Sequence, residues 1–373
     1  MEQQGGREPV EPVRQNGTDR EEEVSQRIGM KVKKPGVYTT LQDQGRIGHR
    51  HLGVPVSGVM DRWSSRVANR LLGNEDEAAV LEMTWVGPTL DIQQGMWISI
   101  CGGACSVQAN QQEIPMWRPV YLPAGTVLSI GSFRKGCRAY LAVQGGFEAE
   151  IVLGSRSTYV RGGFGGIGGR TLRAGDELVI RPSAALNAEQ PQNPPCIGRR
   201  AIRTDRLYRP SWRVPILDWK EPEPVIRVME GREIDSFPKR SREKLKSTDF
   251  RILPQSDRMG YRLEGSPLHP LASFQMKTEP VTVGTVQVPP NGQPVILMAD
   301  GQATGGYPRI AQVASVDVPV LAQLPPGTSI RFAWVSVTEA EQLWLQREAE
   351  LEALTRALAL KGRLGDKDCS RLF

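Results

Sequence analysis

The 373-residue sequence contains few of the residues that build metal sites and disulfide frameworks. It has three histidines, none at metal-ligand spacing, and no Cys-x-x-Cys pair. The five cysteines are odd in number and widely separated: Cys101, Cys105, Cys137, Cys196 and Cys369. This usage predicts reduced, buried thiols and no metal site.

Long hydrophobic runs and a one-sided charge distribution are also lacking. No apolar run approaches membrane-spanning length, and the N-terminus has no basic segment followed by an apolar core. The net charge is +6, but lysines and arginines are scattered among acids and no nucleic-acid motif is found. We therefore expect a cytoplasmic protein with a small-molecule substrate that binds neither nucleic acid nor membrane.

Glycine and proline are plentiful, at 39 and 28 residues, and β-branched runs outnumber helical stripes. This composition predicts mostly β structure with many turns, and the length favours two domains. Three similar turns, at residues 122–126, 172–176 and 324–328, each lead into an alternating strand. They suggest a weak internal repeat and two related β-barrels or sandwiches, although similar turn chemistry can arise by chance.

Composition divides the chain into five segments. Residues 1-29 are predicted to be a disordered arm, 30-185 and 216-336 two β-domains, 186-215 a linker, and 337-373 a C-terminal helical extension. In the extension, Thr338 and Glu341 predict a capping box and Gly362 predicts the helix end. An apolar stripe follows the predicted helix at Leu351, Leu354 and Leu358.

The stretch 294–308 is the most suggestive of a site. An apolar strand ends on Asp300, which is followed by polar residues and by the glycine pair Gly305-Gly306. Paired glycines let a ligand approach main-chain N–H groups, and Asp300 offers acid/base chemistry. Hydrogen-bonding groups come from Gln302, Thr304 and Tyr307. The alternative is a tight turn in which the aspartate caps its own backbone.

Two acidic residues earlier in the chain have different expected roles. Asp61 precedes a stripe of apolar residues at helical spacing that stops at Gly73-Asn74, which predicts a capped helix. Glu82 lies within an apolar run, where an unpaired carboxylate is costly. It is expected either to pair with a buried arginine or amide, or to face a site.

A second concentration of charge lies at residues 254–265. Arg258 and Arg262 are candidates for bidentate recognition of a carboxylate or phosphate. Structural pairing of Asp257 with Arg258, or of Arg262 with Glu264, is the alternative. The glycine-rich segment 161–171 contains a G-x-G-x-x-G match, but no strand–turn–helix pattern surrounds it, so a flexible loop is expected there.

Six motifs follow one another along the chain: residues 39–46 (TTLQDQGR), 51–55 (HLGVP), 58–61 (GVMD), 153–158 (LGSRST), 256–263 (SDRMGYRL) and 304–308 (TGGYP). Together they resemble the allophanate hydrolase subunit 2 or biotin-dependent carboxyltransferase family. Members of this family include the C subunit of the bacterial ATP-dependent 5-oxoprolinase, the antagonist of a sporulation-kinase inhibitor, and the carboxyltransferase half of urea carboxylase. The resemblance runs from about Val32 to Val335.

The resemblance implies two cyclophilin-like β-barrel domains. It also implies a complex with two further proteins, a cyclophilin-like B subunit and an A subunit, in which 5-oxoproline is opened to glutamate using ATP. Asp300 and Arg258 are the expected catalytic residues. The expected substrate-binding residues are Gln42, Asp43, His51, Gly53, Val54, Pro55, Ser57, Gly58, Asp61, Glu82, Asp257, Met259, Tyr261, Arg262, Gln302, Thr304, Gly305, Gly306 and Tyr307. The family pattern Asp-Arg-Gln-Thr-Thr-Gly-Gly-Tyr-Pro is altered here, because Gly301 replaces its arginine and Ala303 its first threonine.

Three functions are consistent with these residues. The first is the C subunit of a 5-oxoprolinase, with ATP bound here or by a partner, Arg258 or Arg262 on the substrate anion, the N–H groups of Gly305-Gly306 on developing charge, and Asp300 moving the proton. The second is a urea-type carboxyltransferase; this sequence has no Met-Lys-Met carrier segment, so another protein would have to supply biotin. The third is a regulatory module that binds a kinase-inhibitor-like partner.

Overall fold

The computed structural model describes residues 28–181, 193–198, 202–214, 224–271 and 276–364. Most of the predicted N-terminal arm therefore lies outside the described residues, although its last two residues, Ile28 and Gly29, begin the first strand. The described parts of the predicted linker pack against the N-terminal half: Cys196 and Val214 are buried, and the Val214 N–H donates to the Trp117 carbonyl.

The N-terminal half is a curled, open sheet of nine strands with one helix, α1 (Arg62–Leu71). Its strands are β1 (Ile28–Lys34), β2 (Tyr38–Gln42), β3 (Val80–Thr84), β4 (Thr89–Ile92), β5 (Met96–Ala109), β6 (Gln112–Glu113), β7 (Pro119–Leu122), β8 (Val127–Val143) and β9 (Glu177–Val179). The main path runs β2-β3-β8-β4-β1-β9, and β5 pairs with β6, β7 and β8.

The long strands β5 and β8 organise this sheet. They pair antiparallel from Ile98 opposite Val143 to Ala109 opposite Leu128. The first four residues of β8 alternate between half-buried and buried, whereas its last seven residues are all buried. These residues lie between the inner core and α1, so both faces of the strand are covered. A continuous apolar run therefore replaces period-two alternation there.

The C-terminal half contains a closed seven-stranded barrel of order β10-β17-β14-β15-β12-β11-β18. Its strands are β10 (Val225–Glu230), β11 (Phe250–Ile252), β12 (Gly260–Glu264), β14 (Thr285–Gln287), β15 (Val295–Leu297), β17 (Arg309–Val313) and β18 (Ser329–Trp334); β13 (Glu279–Pro280) and β16 (Thr304–Gly305) form a separate pair. Two short helices accompany the barrel, α2 (Lys239–Ser247) and α3 (Val318–Gln323). The predicted mostly β class with two β-domains is confirmed.

The C-terminal helix α4 (Val337–Leu364) follows the last barrel strand and packs on α1 of the other half. Its predicted start and stop were wrong. The capping box is formed by Ser336 and Glu339, whose side chains each accept from the other's backbone N–H at 3.1 and 2.7 Å, respectively. Gly362 lies inside the helix, pressed against the Pro195 carbonyl, a contact that leaves no room for a side chain.

None of the helices in the described residues has the length and hydrophobicity that a membrane-spanning segment requires. The cysteines within the described ranges, Cys101, Cys105, Cys137 and Cys196, are free thiols. Those same ranges contain no group of three or more His, Cys, Asp or Glu residues that could hold a metal ion.

Candidate functional site

The two halves meet around one buried arginine. The guanidinium of Arg258 forms two bonds with Asp300, from Nε to Oδ2 at 2.8 Å and from Nη2 to Oδ1 at 3.0 Å. It also donates to the Glu82 carboxylate and, at 2.7 Å, to the Gly58 carbonyl, both in the N-terminal half. Glu82 is therefore paired with a buried arginine, one of the two outcomes expected for it.

Local turns position the partners of Arg258. Asp257 does not pair with it; the Asp257 carboxylate accepts from the Met259 N–H at 2.8 Å and so caps the turn that leads into β12. Asp300 follows β15, and its N–H donates to the Arg258 carbonyl at 2.8 Å. Gly58 has φ of 83°, and a Cβ there would lie 2.8 Å from the Gly45 nitrogen, so only glycine fits.

A second arginine extends the contact between the halves. Arg138 of β8 donates to the Tyr261 hydroxyl at 2.8 Å and to the Ala322 carbonyl at 2.5 Å. Gln323 at the end of α3 accepts from the backbone N–H groups of Cys137 and Arg138 and donates to Asp61 at 2.8 Å. The residues that form this network are hereafter the interface cluster: Asp61, Glu82, Arg138, Arg258, Tyr261, Asp300 and Gln323.

Asp61 has the predicted capping role and a second one. Its carboxylate accepts from the Ser64 N–H at 2.9 Å at the start of α1, which confirms the predicted cap. The same carboxylate accepts from Gln323, so the cap of a helix in one half is bonded to the other half. The Asp61 N–H donates to the buried Tyr140 hydroxyl at 2.8 Å.

Burial shifts the acid–base properties of the interface cluster. Burial opposes the charge on Arg258, but the carboxylates of Asp300 and Glu82 outweigh it and hold the pKa of Arg258 well above its usual value. Burial raises the pKa of Asp61 against the opposing hydrogen bonds from Ser64 and Gln323. Burial also raises the pKa of Tyr261 to about 12, although Arg138 opposes the shift. Arg258 therefore stays charged at any physiological pH.

Asp43 organises the loops beside the interface cluster. Its carboxylate accepts from the hydroxyls of Ser155 and Ser157, at 2.6 and 2.5 Å, and from the N–H of Gly45 at 2.8 Å. The Gln42 side chain donates to the Thr158 carbonyl at 3.0 Å. Two predicted motifs, residues 39–46 and 153–158, are thus brought together by one carboxylate.

The glycine-rich loop packs beside these loops. Its Phe164 ring lies 4.9 Å from the guanidinium carbon of Arg46. The loop forms a 3₁₀ turn at Val160–Gly162 and a series of further turns, not the strand–turn–helix unit that binds dinucleotides. The expectation of a loop there is correct.

A cleft of about 460 Å³ opens next to the interface cluster, between the two halves. Its walls are mostly apolar and include Val56 and Met60 from one half, and Val283, Ala299 and Val318 from the other. Ala299 and Met60 immediately precede Asp300 and Asp61 in the chain. The cleft therefore lies one residue from two carboxylates of the interface cluster.

The predicted site residues fall into two groups. Gln42, Asp43, Pro55, Ser57, Gly58, Asp61, Glu82, Arg258, Tyr261 and Asp300 are buried in or beside the contact between the halves. His51, Gly53, Asp257, Arg262, Gln302, Thr304, Gly306 and Tyr307 are exposed, while Gly305 is buried in the pairing of β16 with β13; Val54 and Met259 are half-buried. Of all these residues, Ser57 alone lines the cleft.

The geometry of the turn after Asp300 explains why glycine occupies position 301. A Cβ at this position would lie 2.9 Å from the Met298 carbonyl oxygen and 3.1 Å from that of Met259, so a side chain there requires the backbone to shift. Arg50 of the N-terminal half reaches this turn and donates to the Gln302 carbonyl at 3.4 Å. The exposed Arg262 has no part in the cleft lining.

Sequence reasoning missed Arg50, Arg62, Arg138 and Gln323. Arg50 and Arg62 line the cleft, and they lie beside the motifs at residues 51–55 and 58–61, so proximity to those motifs was the available signal. Arg138 and Gln323 carry no sequence signal, because each lies in an ordinary strand or helix end and acquires its role only when the halves pack.

Comparisons with known proteins agree with this architecture. The family described as "Carboxyltransferase domain, subdomain A and B" matches residues 52–334. The chain is 35% identical over 317 residues to the C subunit of 5-oxoprolinase from Haemophilus influenzae, covering 85% of this chain and 94% of that protein. It is 33% identical to urea amidolyase of Lachancea kluyveri, covering 87% of this chain but 18% of that much longer protein.

Among solved structures, the K. lactis urea amidolyase superposes with a TM-score of 0.76 and 29% identity, covering 87% of this chain and 20% of that one. The match therefore includes both β-domains and the contact between them, and it lies within enzyme components in each relative. With a family match over residues 52–334 and these relatives, the chain belongs to the carboxyltransferase family that comprises subdomains A and B.

Proposed function

We propose that this protein is the C subunit of an ATP-dependent 5-oxoprolinase, which opens 5-oxoproline to L-glutamate together with the A and B subunits of the same enzyme. The supporting observation is the extent of the match: the chain aligns with 94% of the H. influenzae C subunit, but with 18% of the L. kluyveri urea amidolyase. A protein that corresponds to one whole subunit of a multi-subunit enzyme acts with partners.

The reaction sets three requirements on the site. The lactam carbonyl is a poor electrophile, so ATP supplies the activation by phosphorylating the carbonyl oxygen or its hydrate. The site then has to hold the substrate, stabilise developing negative charge and move a proton. A cleft between two domains favours each of these where a bound substrate displaces water, because electrostatic interactions are stronger where the effective dielectric constant is low.

Asp300 is the proposed proton-transfer group. It is 5% exposed, it follows the cleft residue Ala299, and both of its oxygens are held by Arg258. Arg258 forms four hydrogen bonds to groups of this chain. We therefore assign Arg258 as a positioning residue that fixes the Asp300 carboxylate, rather than as the group that receives the substrate anion.

ATP is proposed to bind on a partner protein of the complex. The glycine-rich loop at residues 161–171 forms successive turns, and its Phe164 ring lies against the Arg46 guanidinium. It offers no helix N-terminus for a phosphate.

The test is reconstitution with the candidate A and B subunits, followed by measurement of glutamate released from 5-oxoproline with and without ATP. We expect release that depends on ATP and on all three proteins. A stable complex that releases no glutamate would contradict this function and would favour the regulatory alternative.

A biotin-dependent carboxyltransferase is the second candidate. It is favoured by the superposition on urea amidolyase, which covers 87% of this chain at a TM-score of 0.76. In that reaction Asp300 takes the proton from the accepting nitrogen, and biotin arrives on another protein. Transfer of ¹⁴C-carboxylate from a carboxylated biotin carrier to urea by the purified chain would support it. No transfer under conditions in which the complex releases glutamate would exclude it.

A further inference from the structure

The interdomain cleft has the charge and shape of an anion site. Arg50 and Arg62 line it, and none of the described residues that line it is acidic. Within the described ranges, no carboxylate pairs with either arginine; Arg50 donates to the Gln302 carbonyl at 3.4 Å and Arg62 to the Gln44 carbonyl at 3.1 Å. Two of the four buried arginines in the described residues, Arg258 and Arg309, pair with carboxylates. Arg50 is half-buried and Arg62 is exposed.

Ser57, which lines the same cleft, carries a buried hydroxyl without a partner among the described residues. The residue is 2% exposed. Its backbone has φ of 55°, a left-handed conformation that is strained for a residue with a side chain. An unsatisfied buried hydroxyl destabilises the fold, and a ligand that bonds to it would remove that cost.

Arg50 is half-buried, and burial lowers its pKa because no carboxylate compensates its charge. A bound anion would compensate the positive charge of the Arg50 guanidinium.

We propose that this cleft binds a small monocarboxylate, with the Arg50 guanidinium and the Ser57 hydroxyl receiving the carboxylate and the apolar wall receiving the body of the ligand. A phosphate group has three acceptor oxygens and about two charges, and it favours several converging N–H donors. The cleft instead combines a forked guanidinium and one hydroxyl with apolar side chains, including Val56, Met60 and Val283, which matches one carboxylate on a compact, weakly polar body.

The assignment deepens the proposed function and rests on it for the choice of probe, because 5-oxoproline is a monocarboxylate on a five-membered lactam. It transfers the anion-binding role from Arg258 and Arg262 to Arg50. Arg62 adds positive charge at the cleft, and its bond to Gln44 holds it in place.

The test is isothermal titration calorimetry of the full chain, alone and in its complex with the partner proteins. The probes are L-5-oxoproline, pyrrolidin-2-one, which has the same ring without the carboxylate, and inorganic phosphate. We expect saturable binding of 5-oxoproline and at least tenfold weaker binding of pyrrolidin-2-one. Arg50→Gln should weaken 5-oxoproline binding by about tenfold to a hundredfold, and Ser57→Gly, which suits the left-handed backbone, by a few-fold.

Arg240→Gln is the matched control, because Arg240 is an exposed arginine of α2 that does not line the cleft. It should leave binding unchanged. Four results would each overturn the assignment. Two concern the ring compounds and the variants: equal affinity for 5-oxoproline and pyrrolidin-2-one, or equal losses of affinity in Arg50→Gln and Arg240→Gln. The others are tighter binding of phosphate that depends on Arg50, and no saturable binding of 5-oxoproline to either the chain or the complex. Binding that follows the expected pattern in a complex that releases no glutamate would contradict the 5-oxoprolinase function and leave the carboxylate site standing.

Discussion

Arg258 shows how a buried charge joins two domains. It is 6% exposed and lies between two carboxylates, one from each half of the chain. Removing one member of such a buried network leaves the others charged and without a partner, which commonly costs about 3–5 kcal/mol. The sequence identified Arg258, Asp300 and Glu82 individually, but not their pairing, because Glu82 and Asp300 lie 176 and 42 residues from Arg258 in the chain.

Replacing Arg258 tests that pairing. We expect Arg258→Met to lower the free energy of unfolding by about 3–5 kcal/mol, because Glu82 and Asp300 both lose their cation. Arg227→Met is the control in the same barrel. Among the described residues Asp317 is the one carboxylate that pairs with Arg227, whose side chain is 33% exposed, so a smaller loss is expected. Urea unfolding monitored by fluorescence measures both. Equal losses would show that the contact between the halves adds nothing.

The buried thiols predict how stability depends on alkaline pH. Burial raises the pKa of Cys101 well above its usual value and that of Cys196 to about 12. Above a pH of about 8.5 the unfolded chain releases these protons while the folded protein retains them, so stability falls as pH rises. Each thiol contributes about 1.4 kcal/mol per pH unit in that window.

The double variant Cys101→Ala, Cys196→Ala should therefore lose less stability than the wild type between pH 8.5 and 10.5, as measured by urea unfolding under reducing conditions. The comparison concerns the slope with pH, so any constant loss from the smaller side chains does not affect it. Identical slopes would contradict the pKa shifts.

At the scale of elements, helix α4 joins the two β-domains from outside. It leaves the barrel after β18 and reaches α1, where Arg66 forms a bidentate pair with Glu348 at 2.5 and 2.8 Å. Arg70 bonds to Glu352 and Thr355. Leu351 and Leu358 are buried between the two helices and the N-terminal half. The apolar stripe predicted the helix and its buried face, because both depend on local periodicity. The Ser336–Glu339 cap and the position of Gly362 inside the helix are not part of that periodicity, so both predicted ends were wrong.

Alanine substitutions at two leucines of α4 distinguish the contribution of packing from that of helix propensity. Leu351→Ala should cost about 2–5 kcal/mol, because the side chain is fully buried against α1. Leu345→Ala, on the same helix but 54% exposed, should change stability by less than about 0.5 kcal/mol. Thermal unfolding of the two variants provides the comparison, and similar effects would mean that α4 does not bind α1 in solution.

At the level of the complete chain, the proposed function depends on the assembly of the two halves. The cleft takes residues from both β-domains, and the interface cluster that borders it is bonded across them. Composition and turn patterns were sufficient to predict two β-domains, because turns and strand alternation are local properties. The closed barrel and the open, curled sheet differ in strand pairing, and the cleft arises from domain packing; neither is encoded in a local pattern.

The exposed residues of the stretch 294–308 illustrate the same limit. Strand, turn and carboxylate were correctly expected there, yet Gln302, Thr304 and Tyr307 lie on the surface while Ala299 lines the cleft. Which residues of this stretch line the cleft depends on how the N-terminal half packs against it. That half contributes Arg50 and Ser57 from a loop far earlier in the chain. The bonded pair Arg50 and Gln302, for example, is separated by 252 residues.

The most direct measurement is the kcat for 5-oxoproline of the complete complex that contains Asp300→Asn. Asparagine keeps the shape of the side chain but cannot accept the proton, so we expect kcat to fall by about 10²–10⁴-fold while the three proteins still elute as one complex. Asp317→Asn is the matched control, because Asp317 is also a buried aspartate held by two bonds from an arginine, Arg227, outside the interface cluster. It should reproduce any loss of stability and keep kcat. An intact Asp300→Asn complex that retains kcat within about threefold of the wild type would contradict the assignment of the active site to this contact between the halves.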